Sequence, residues 1–200
     1  MPVLGVTGGI ATGKSSFVRA LQSHLSFQLF DADLCAHELL AGDMGVQIAI
    51  RDLFGPIVFQ SAGIVDRERL RELVFSNAEN RRGLEEILHP VIRSRWLSQA
   101  ETYRQSPEWF CADIPLLYET GAEGHFDRVV VVASTEETQR RRLREVRRLD
   151  EAMIEKMIGV QEALGLKIKK ADHVIWNDST VSCLDGQTRL FAGWLRKHYG

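Results

Sequence analysis

A glycine-bounded segment near the amino terminus carries the residue types that bind phosphate. Residues 8–15 read Gly-Gly-Ile-Ala-Thr-Gly-Lys-Ser and match the pattern G-x-x-x-x-G-K-[ST] in full. In such a loop, backbone N–H groups surround the phosphates of a nucleotide, the lysine adds charge at the β- and γ-phosphates, and the serine hydroxyl completes a Mg²⁺ shell. An ordinary glycine-rich turn is the competing interpretation. The segment predicts ATP and Mg²⁺ binding by Gly9, Ile10, Ala11, Thr12, Gly13, Lys14, Ser15 and Ser16.

Three aspartates follow apolar runs and are the candidates for acid–base and metal chemistry. Asp31 and Asp33 come directly after the run Phe27 to Phe30. A hydroxyl acceptor needs a carboxylate to orient it and take its proton. A helix N-cap is the alternative role for either residue. Asp113 ends the run Trp109 to Ala112, where it could hold Mg²⁺ or form a turn before Ile114 and Pro115.

Six arginines lie between Arg140 and Arg148. A run of charge is most often a solvated helix face, and a nucleic-acid patch is a second interpretation. A third is a mobile lid, because arginines stabilise the charge that spreads over the transferred phosphoryl group. In a chain with a phosphate loop, the lid interpretation is favoured.

The sequence predicts that alternating strands and helices position these residues. Five short apolar runs predict buried parallel strands, and helical spacing of Phe17, Val18 and Leu21 predicts a helix directly after the glycines. Such alternation is typical of a doubly wound α/β sheet. The predicted strands are Val3 to Thr7, Phe27 to Phe30, Trp109 to Ile114, Arg128 to Ala133 and His173 to Trp176.

A long interval separates the second and third predicted strands. It has roughly 75 residues, although a crossover needs only a dozen or somewhat more. Leu70, Leu73 and Val74, and later Leu84, Ile87 and Leu88, recur at helical spacing. We interpret the interval as a helical insertion that holds an acceptor substrate at the carboxyl end of the strands, with a purely structural elaboration as the alternative.

Composition narrows the class of protein. The chain has 200 residues, 44% hydrophobic and 26% charged, with a formal net charge of −2. These values are typical of one globular α/β domain and argue against a general nucleic-acid binder. Three widely spaced cysteines predict neither a disulfide framework nor a zinc site. The amino-terminal segment lacks the features of a signal peptide, and no run is long enough to span a bilayer, so we expect a cytoplasmic protein without membrane partners.

Several motifs in the same order resemble those of the dephospho-CoA kinase family over nearly the whole chain. Residues 7–15 are similar to its T-G-G-I-x-S-G-K-S, residues 31–33 to its D-A-D, and residues 84–92 to its L-E-x-I-x-H-P-x-I. Residues 113–119 resemble its D-x-P-L-L-[FY]-E. The carboxyl-terminal third is similar at Gln139, Arg142, Leu143, Gln161, Lys167, Ala171, Asp172, Val174, Ile175 and Asn177.

The resemblance implies a fold and an activity. The fold would be a single P-loop NTPase domain with three α/β/α layers and a mostly parallel five-stranded sheet. Its core would comprise residues 1–42, 107–137 and 171–200, with a helical CoA-binding insertion at 43–106 and a helical lid at 138–165. The activity would be transfer of a phosphoryl group from ATP to the ribose 3′-hydroxyl of dephospho-CoA, giving CoA and ADP in the last step of coenzyme A biosynthesis.

The resemblance also implies residue roles. Asp33 would take the proton from the acceptor hydroxyl, Lys14 and Arg142 would complete the catalytic set with Arg142 in the lid, and Asn177 would lie near the adenine. Ser15 and Asp113 are the expected metal ligands. The residues expected to contact the acceptor are Asp33, His89, Pro90, Arg93, Leu116, Leu117 and Tyr118.

The chain departs from the family pattern in its loop and its lid. Ala11 and Thr12 stand where the family has glycine and serine, so we expect Ala11 to avoid a positive φ. Val146 occupies the place of a second lid arginine, and Arg147 beside it could substitute. A nucleoside or nucleotide kinase is the alternative enzyme. A GTP-switch protein is disfavoured because the chain has no N-K-x-D motif for guanine. A non-catalytic ATP-binding module is disfavoured because Lys14, Ser15 and Asp33 are all present.

Overall fold

A five-stranded parallel sheet organises the described part of the chain, which in this computed structural model comprises residues 1–61, 63–159 and 161–200. The strands lie in the order β2-β3-β1-β4-β5. Parallel pairing joins β1 to both β3 and β4, with Val6 opposite Asp113 on one side and Val130 on the other. The strands are β1 Val3–Gly8, β2 Phe27–Asp31, β3 Trp109–Asp113, β4 Arg128–Ala133 and β5 His173–Trp176.

The helices alternate with these strands, as the sequence predicts. The described residues of the interval between β2 and β3 contain four of them, together with a 3-10 turn at Pro56–Val58. The helices are α1 Lys14–His24, α2 Ala32–Gly42, α3 Met44–Phe54, α4 Arg67–Ser76, α5 Ala78–Arg104, α6 Glu136–Glu145, α7 Glu151–Gly159, α8 Leu164–Lys170 and α9 Val181–Tyr199.

Apolar runs explain why the strands form the centre of the sheet. Every residue of β1 is buried, as is every residue of β3, and β4 is buried from Val129 onward. A strand covered on both faces needs apolar side chains in both directions, because either face would otherwise bury polar groups. The continuous apolar runs in the sequence therefore indicate strands at the centre of the sheet.

One face of the sheet is covered by α1 and α9. Phe17 and Leu21 of α1 are fully buried in a cluster with Leu4 of β1, and Phe191 of α9 lies with its ring 6.2 Å from that of Phe17. The i, i+4 spacing of Phe17 and Leu21 places them on one side of α1. This packing fixes the direction of α1, and therefore the loop that precedes it.

Two compact units divide the chain. The first comprises Met1–Phe30 with Gln99–Gly200 and includes the phosphate-binding motif, and the second comprises Asp31–Ser98. In the part of the second unit that the structure describes, aspartate side chains cap three helices by accepting a hydrogen bond from the backbone N–H three residues on, a common helix start. The predicted boundaries of a CoA-binding insertion at 43–106 and a lid at 138–165 stay predictions.

None of the helices in the described residues is both long enough and apolar enough to cross a bilayer.

Candidate active site

The phosphate loop lies between the end of β1 and the start of α1. Its backbone takes a positive φ at two places, 57° at Ala11 and 89° at Gly13. Our expectation that Ala11 avoids a positive φ is therefore wrong. Left-handed backbone costs an alanine about 1 kcal/mol or somewhat more, so neighbouring interactions must hold this residue in place.

Gly8 is required for space rather than for its dihedral angles. Its φ is not positive, but a Cβ atom there would lie 2.4 Å from the carbonyl oxygen of Val132. Gly9 is nearly as confined, because its Cβ would lie 3.0 Å from Oε1 of Gln139. Close approach to β4 and α6 explains both glycines.

The amino terminus of α1 faces the loop with uncapped N–H groups. Its N-cap is Gly13, which has no side chain to accept a hydrogen bond, and the helix begins at Lys14. Thr12 is fully buried, and its hydroxyl donates to the carbonyl oxygen of Gly9 at 2.9 Å. The free donors and the positive end of the helix dipole suit an anion.

Lys14 and Asp113 lie together at the carboxyl ends of β1 and β3. The ammonium group of Lys14 forms an ion pair with Oδ1 of Asp113. Both side chains are largely buried, with 15% of Lys14 and 7% of Asp113 exposed. A charge in such a setting needs its partner, because an unpaired buried charge is costly.

Oxygen donors at this place would suit a magnesium ion. Asp113 supplies a carboxylate, and Ser15 is exposed at the first turn of α1. Among the described residues, no cluster of three or more His, Cys, Asp or Glu side chains could hold a metal unaided. Mg²⁺ commonly takes one or two protein ligands together with waters and phosphate oxygens, so the oxygens of Asp113 and Ser15 would suffice to hold it.

Arg142 and Asn177 contact the phosphate loop from its outer side. Arg142 donates from Nη1 to the carbonyl oxygen of Ala11 at 3.1 Å and from Nη2 to that of Asn177 at 2.8 Å. The side chain of Asn177 donates to the carbonyl oxygen of Thr12 at 2.8 Å. Burial lowers the pKa of Arg142, while the carboxylate of Asp178 acts in the opposite direction.

The start of α6 is tied to the ends of β4 and β5. Thr135 caps the helix, and Asp178 accepts hydrogen bonds from its backbone N–H at 2.9 Å and from its hydroxyl at 3.1 Å. Gln139 donates from Nε2 to the carbonyl oxygen of Ser134 at 3.3 Å. The helix that carries Arg142 is therefore bonded to the sheet edge at its first turns.

The rest of the arginine run divides between ion pairs and exposed surface. Arg140 contacts Glu136, Glu151 and Glu155 at 2.7–2.9 Å, joining α6 to α7. These hydrogen bonds, chiefly the one with Glu136, raise the pKa of Arg140. Val146 is 77% exposed, and the substitution of Arg147 for a second lid arginine stays a prediction.

Asp31 and Asp33 have different positions in α2. Oδ1 of Asp31 accepts a hydrogen bond from the backbone N–H of Leu34 at 2.9 Å, so Asp31 is the N-cap. Asp33 lies in the first turn of the helix and is exposed. Capping is thus assigned to Asp31, which leaves the carboxylate of Asp33 available for another role.

The residues expected near the acceptor fall in both compact units. His89, Pro90 and Arg93 belong to α5 in the second unit, and this helix continues through Pro90. Burial lowers the pKa of His89, and the carboxylate of Glu85 partly offsets it.

The other expected acceptor residues follow β3 in the first unit. Leu117 and Tyr118 are buried, and Leu116 is half-buried. The Tyr118 hydroxyl has no hydrogen-bond partner within the described part of the chain.

A buried lysine behind these residues was not assigned a role from the sequence. Lys167 of α8 is fully buried, forms an ion pair with Glu119 at 2.8 Å, and donates to the carbonyl oxygen of Pro115 at 3.0 Å. Thr7 donates to the same oxygen at 3.0 Å. Lys169 and Lys170 follow Lys167 closely in the sequence, so the pattern indicates an exposed helix, and only the apolar neighbours Leu166 and Ile168 signal burial.

The sheet order, the loop between β1 and α1, and the Lys14–Asp113 pair together define a P-loop kinase. The family model described as dephospho-CoA kinase matches residues 2–182. A dephospho-CoA kinase from Enterococcus faecalis is 35% identical over 198 residues, covering 99% of this chain and 98% of the relative. The chain therefore belongs to the dephospho-CoA kinase family.

Solved structures agree with this assignment. A Thermus thermophilus protein of known structure matches with a TM-score of 0.78 and 29% identity over 100% of this chain and 99% of the other. Dephospho-CoA kinase from Campylobacter jejuni matches with a TM-score of 0.65 and 26% identity, covering 97% of each chain. The predicted fold class and the predicted enzyme class, a kinase of the final step of coenzyme A biosynthesis, are confirmed, and the nucleoside or nucleotide kinase alternative is not favoured.

Proposed function

We propose that this chain transfers the terminal phosphoryl group of ATP to the ribose 3′-hydroxyl of dephospho-CoA, giving CoA and ADP. The observation that carries the proposal is the family match over residues 2–182, which includes an intact phosphate loop with Lys14 and Ser15. An enzyme that had lost the activity would not need to retain either side chain.

The phosphate loop and the residues next to it are proposed to bind ATP. Residues 9–16 would bind the triphosphate through backbone N–H groups, with Lys14 exchanging its contact with Asp113 for phosphate oxygens. Ser15 and Asp113 would hold Mg²⁺, which when bound neutralises charge on the phosphates. Oxygen donors of this kind support the choice of that ion.

Asp33 is proposed as the general base. A carboxylate within reach of the acceptor hydroxyl can orient it for in-line attack and accept its proton. Two observations support this role: Asp33 is exposed, and the helix-capping function that competes with it belongs to Asp31. The family resemblance at residues 31–33 supports it independently.

Arg142 is proposed to stabilise charge on the transferred group. Its guanidinium lies against the loop, bonded to the carbonyl oxygen of Ala11 at 3.1 Å. Arginine suits this task because its planar set of donors can contact phosphate and backbone oxygens together. His89, Pro90, Arg93, Leu116, Leu117 and Tyr118 are proposed to contact dephospho-CoA.

The cytoplasm is the proposed site of the reaction. The three cysteines, Cys35, Cys111 and Cys183, are free thiols, as is usual for proteins of a reducing compartment.

A panel of acceptors tests the proposed substrate. The purified protein is incubated with ATP and Mg²⁺ and with dephospho-CoA, nucleosides or nucleoside monophosphates, and the products are measured by mass spectrometry. We expect a phosphate gain of one group on dephospho-CoA alone. Phosphorylation of a nucleoside or monophosphate at a similar rate would contradict the proposal. Pantetheine phosphate serves as a control acceptor, because it lacks the ribose hydroxyl.

A further inference from the structure

The carbonyl oxygens of a phosphate-binding loop need hydrogen-bond donors, just as its N–H groups need an anion. When backbone N–H groups turn inward around a phosphate, carbonyl oxygens turn outward and need donors of their own. In this loop two carbonyl oxygens accept hydrogen bonds from side chains that lie outside the loop. The carbonyl of Ala11 accepts from Arg142 at 3.1 Å, and that of Thr12 accepts from Nδ2 of Asn177 at 2.8 Å.

Asn177 is itself held firmly at the end of β5. Only 7% of the residue is exposed. Its backbone N–H donates to the carbonyl oxygen of Ala133 at 2.7 Å, which continues the pairing of β5 with β4. Its carbonyl oxygen accepts from Nη2 of Arg142 at 2.8 Å. The amide that reaches Thr12 is therefore attached to a rigid part of the sheet.

The hydrogen bond from Asn177 reaches the loop between its two residues with left-handed backbone conformation. Thr12 lies between Ala11, with φ 57°, and Gly13, with φ 89°. Backbone in this region persists only where surrounding structure holds it. Asn177 packs directly on that place, since a Cβ atom added at Gly13 would lie 2.1 Å from its Nδ2.

We propose that Asn177 is a positioning residue that holds the phosphate loop in its anion-binding shape by donating to the carbonyl oxygen of Thr12. The proposal rests on the proposed use of this loop for a triphosphate. It differs from the role that family resemblance implies for Asn177, which is a place near the adenine. A residue that acts through the loop affects every triphosphate equally, whereas a base contact affects only nucleotides.

Inorganic tripolyphosphate separates these roles, because it has no base. Its dissociation constant is measured by calorimetry, alongside that of ATP, for the wild type and for Asn177→Ala. Gln187→Ala is the matched control: Gln187 donates from Nε2 to the carbonyl oxygen of Trp176 at 2.8 Å, so it also braces β5, one residue before Asn177. Thermal unfolding is recorded for each protein.

We expect Asn177→Ala to bind tripolyphosphate and ATP about tenfold more weakly, by a similar factor for each, because a buried carbonyl loses its donor. Gln187→Ala should bind both as the wild type does. Loss of ATP affinity with unchanged tripolyphosphate affinity would overturn the proposal and favour a base contact. An equal loss in Gln187→Ala would overturn it as well, since any weakening of β5 would then suffice.

A second variant at the same position is needed in case Asn177→Ala does not fold. Asn177→Leu keeps a similar volume and removes both amide groups, and its tripolyphosphate affinity should fall as that of Asn177→Ala does. If neither variant folds, Asn177 supports the sheet rather than the loop, and the proposal is wrong. A wild type that does not bind tripolyphosphate would instead remove the phosphate-loop assignment itself.

Discussion

The ammonium group of Lys14 forms an ion pair with the carboxylate of Asp113, a residue 99 positions further along the chain. The pair links the start of α1 to the end of β3. The register of the sheet explains it, because Asp113 lies opposite Val6 in β1, close to where that strand enters the loop. The charge expected at the phosphates and the carboxylate expected at Mg²⁺ are therefore adjacent in the structure.

Removing the lysine should abolish turnover. In Lys14→Ala the phosphates lose their point charge and Asp113 loses its partner, so we expect kcat to fall by about 10²–10³-fold or more. Lys170→Ala is the matched control, because Lys170 forms an exposed ion pair with Glu162. Steady-state rates with ATP and dephospho-CoA measure the effect. A near-normal rate for Lys14→Ala would defeat the phosphate-loop assignment.

The role of Asp33 can be tested without changing the size of its side chain. Asp33→Asn removes a proton acceptor, so we expect kcat to fall by about 10²–10⁴-fold while ATP affinity changes little. Asp66→Asn serves as control, since Asp66 caps α4 and asparagine caps helices equally well. An unchanged kcat for Asp33→Asn, measured with saturating dephospho-CoA, would exclude Asp33 as the base.

The left-handed conformation of Ala11 predicts that a glycine there is stabilising. Ala11→Gly should raise the free energy of unfolding by about 0.5–1 kcal/mol, because glycine adopts a positive φ without steric cost. Ala49→Gly in α3 should have the opposite effect, a loss of about 1 kcal/mol, because glycine weakens a helix interior. Urea unfolding measures both. A destabilised Ala11→Gly variant would show that the alanine methyl group contributes packing that outweighs its strain.

The buried hydroxyl of Tyr118 predicts a loss of stability in alkali. Burial raises the pKa of Tyr118 from 10.0 to about 12, with the carboxylates of Asp172, Glu123 and Glu162 adding to it. The folded state thus holds the proton more tightly than the unfolded state, and this contribution is intact below pH 10 and lost as the pH rises toward 12.

Tyr118→Phe removes the titrating group, so the decline in unfolding free energy between pH 10 and 12 should be shallower than in the wild type. Tyr103→Phe, which alters a tyrosine stacked on Phe110, should keep the wild-type decline. Denaturant unfolding across this pH range provides the measurement. Equal slopes in the wild type and Tyr118→Phe would show that Tyr118 does not control the alkaline loss.

Short-range patterns were sufficient to predict the strands, the helix α1 and the helical nature of the interval after β2, whereas α9 was not predicted. The bounds of β4 and β5 agree with the predicted Arg128 to Ala133 and His173 to Trp176, because each run is apolar and ends at polar residues. The helical nature of the interval between β2 and β3 also follows from i, i+3 and i+4 spacing. These features depend on the side chains of neighbouring residues, which the sequence displays directly.

Features set by distant contacts were harder to predict. Ala11, which has a positive φ, accepts a hydrogen bond from Arg142, 131 residues away, and the space at Gly8 is limited by Val132. Asp31 and Asp33 are both possible caps by sequence, and only the start of α2 at Ala32 distinguishes them. The burial of Lys167 likewise follows from its contact with Glu119, 48 residues earlier in the chain.

The phosphate loop follows directly from β1, the central strand, so the loop keeps its shape only while the sheet is folded. Every residue of β1 is buried, and the strand is paired on both edges, so its amides can exchange with solvent only when β3 or β4 separates from it. A moderate loss of core stability should therefore reduce the number of competent enzyme molecules without changing how each one binds ATP. Variants of that kind will show a lower Vmax at an unchanged Michaelis constant.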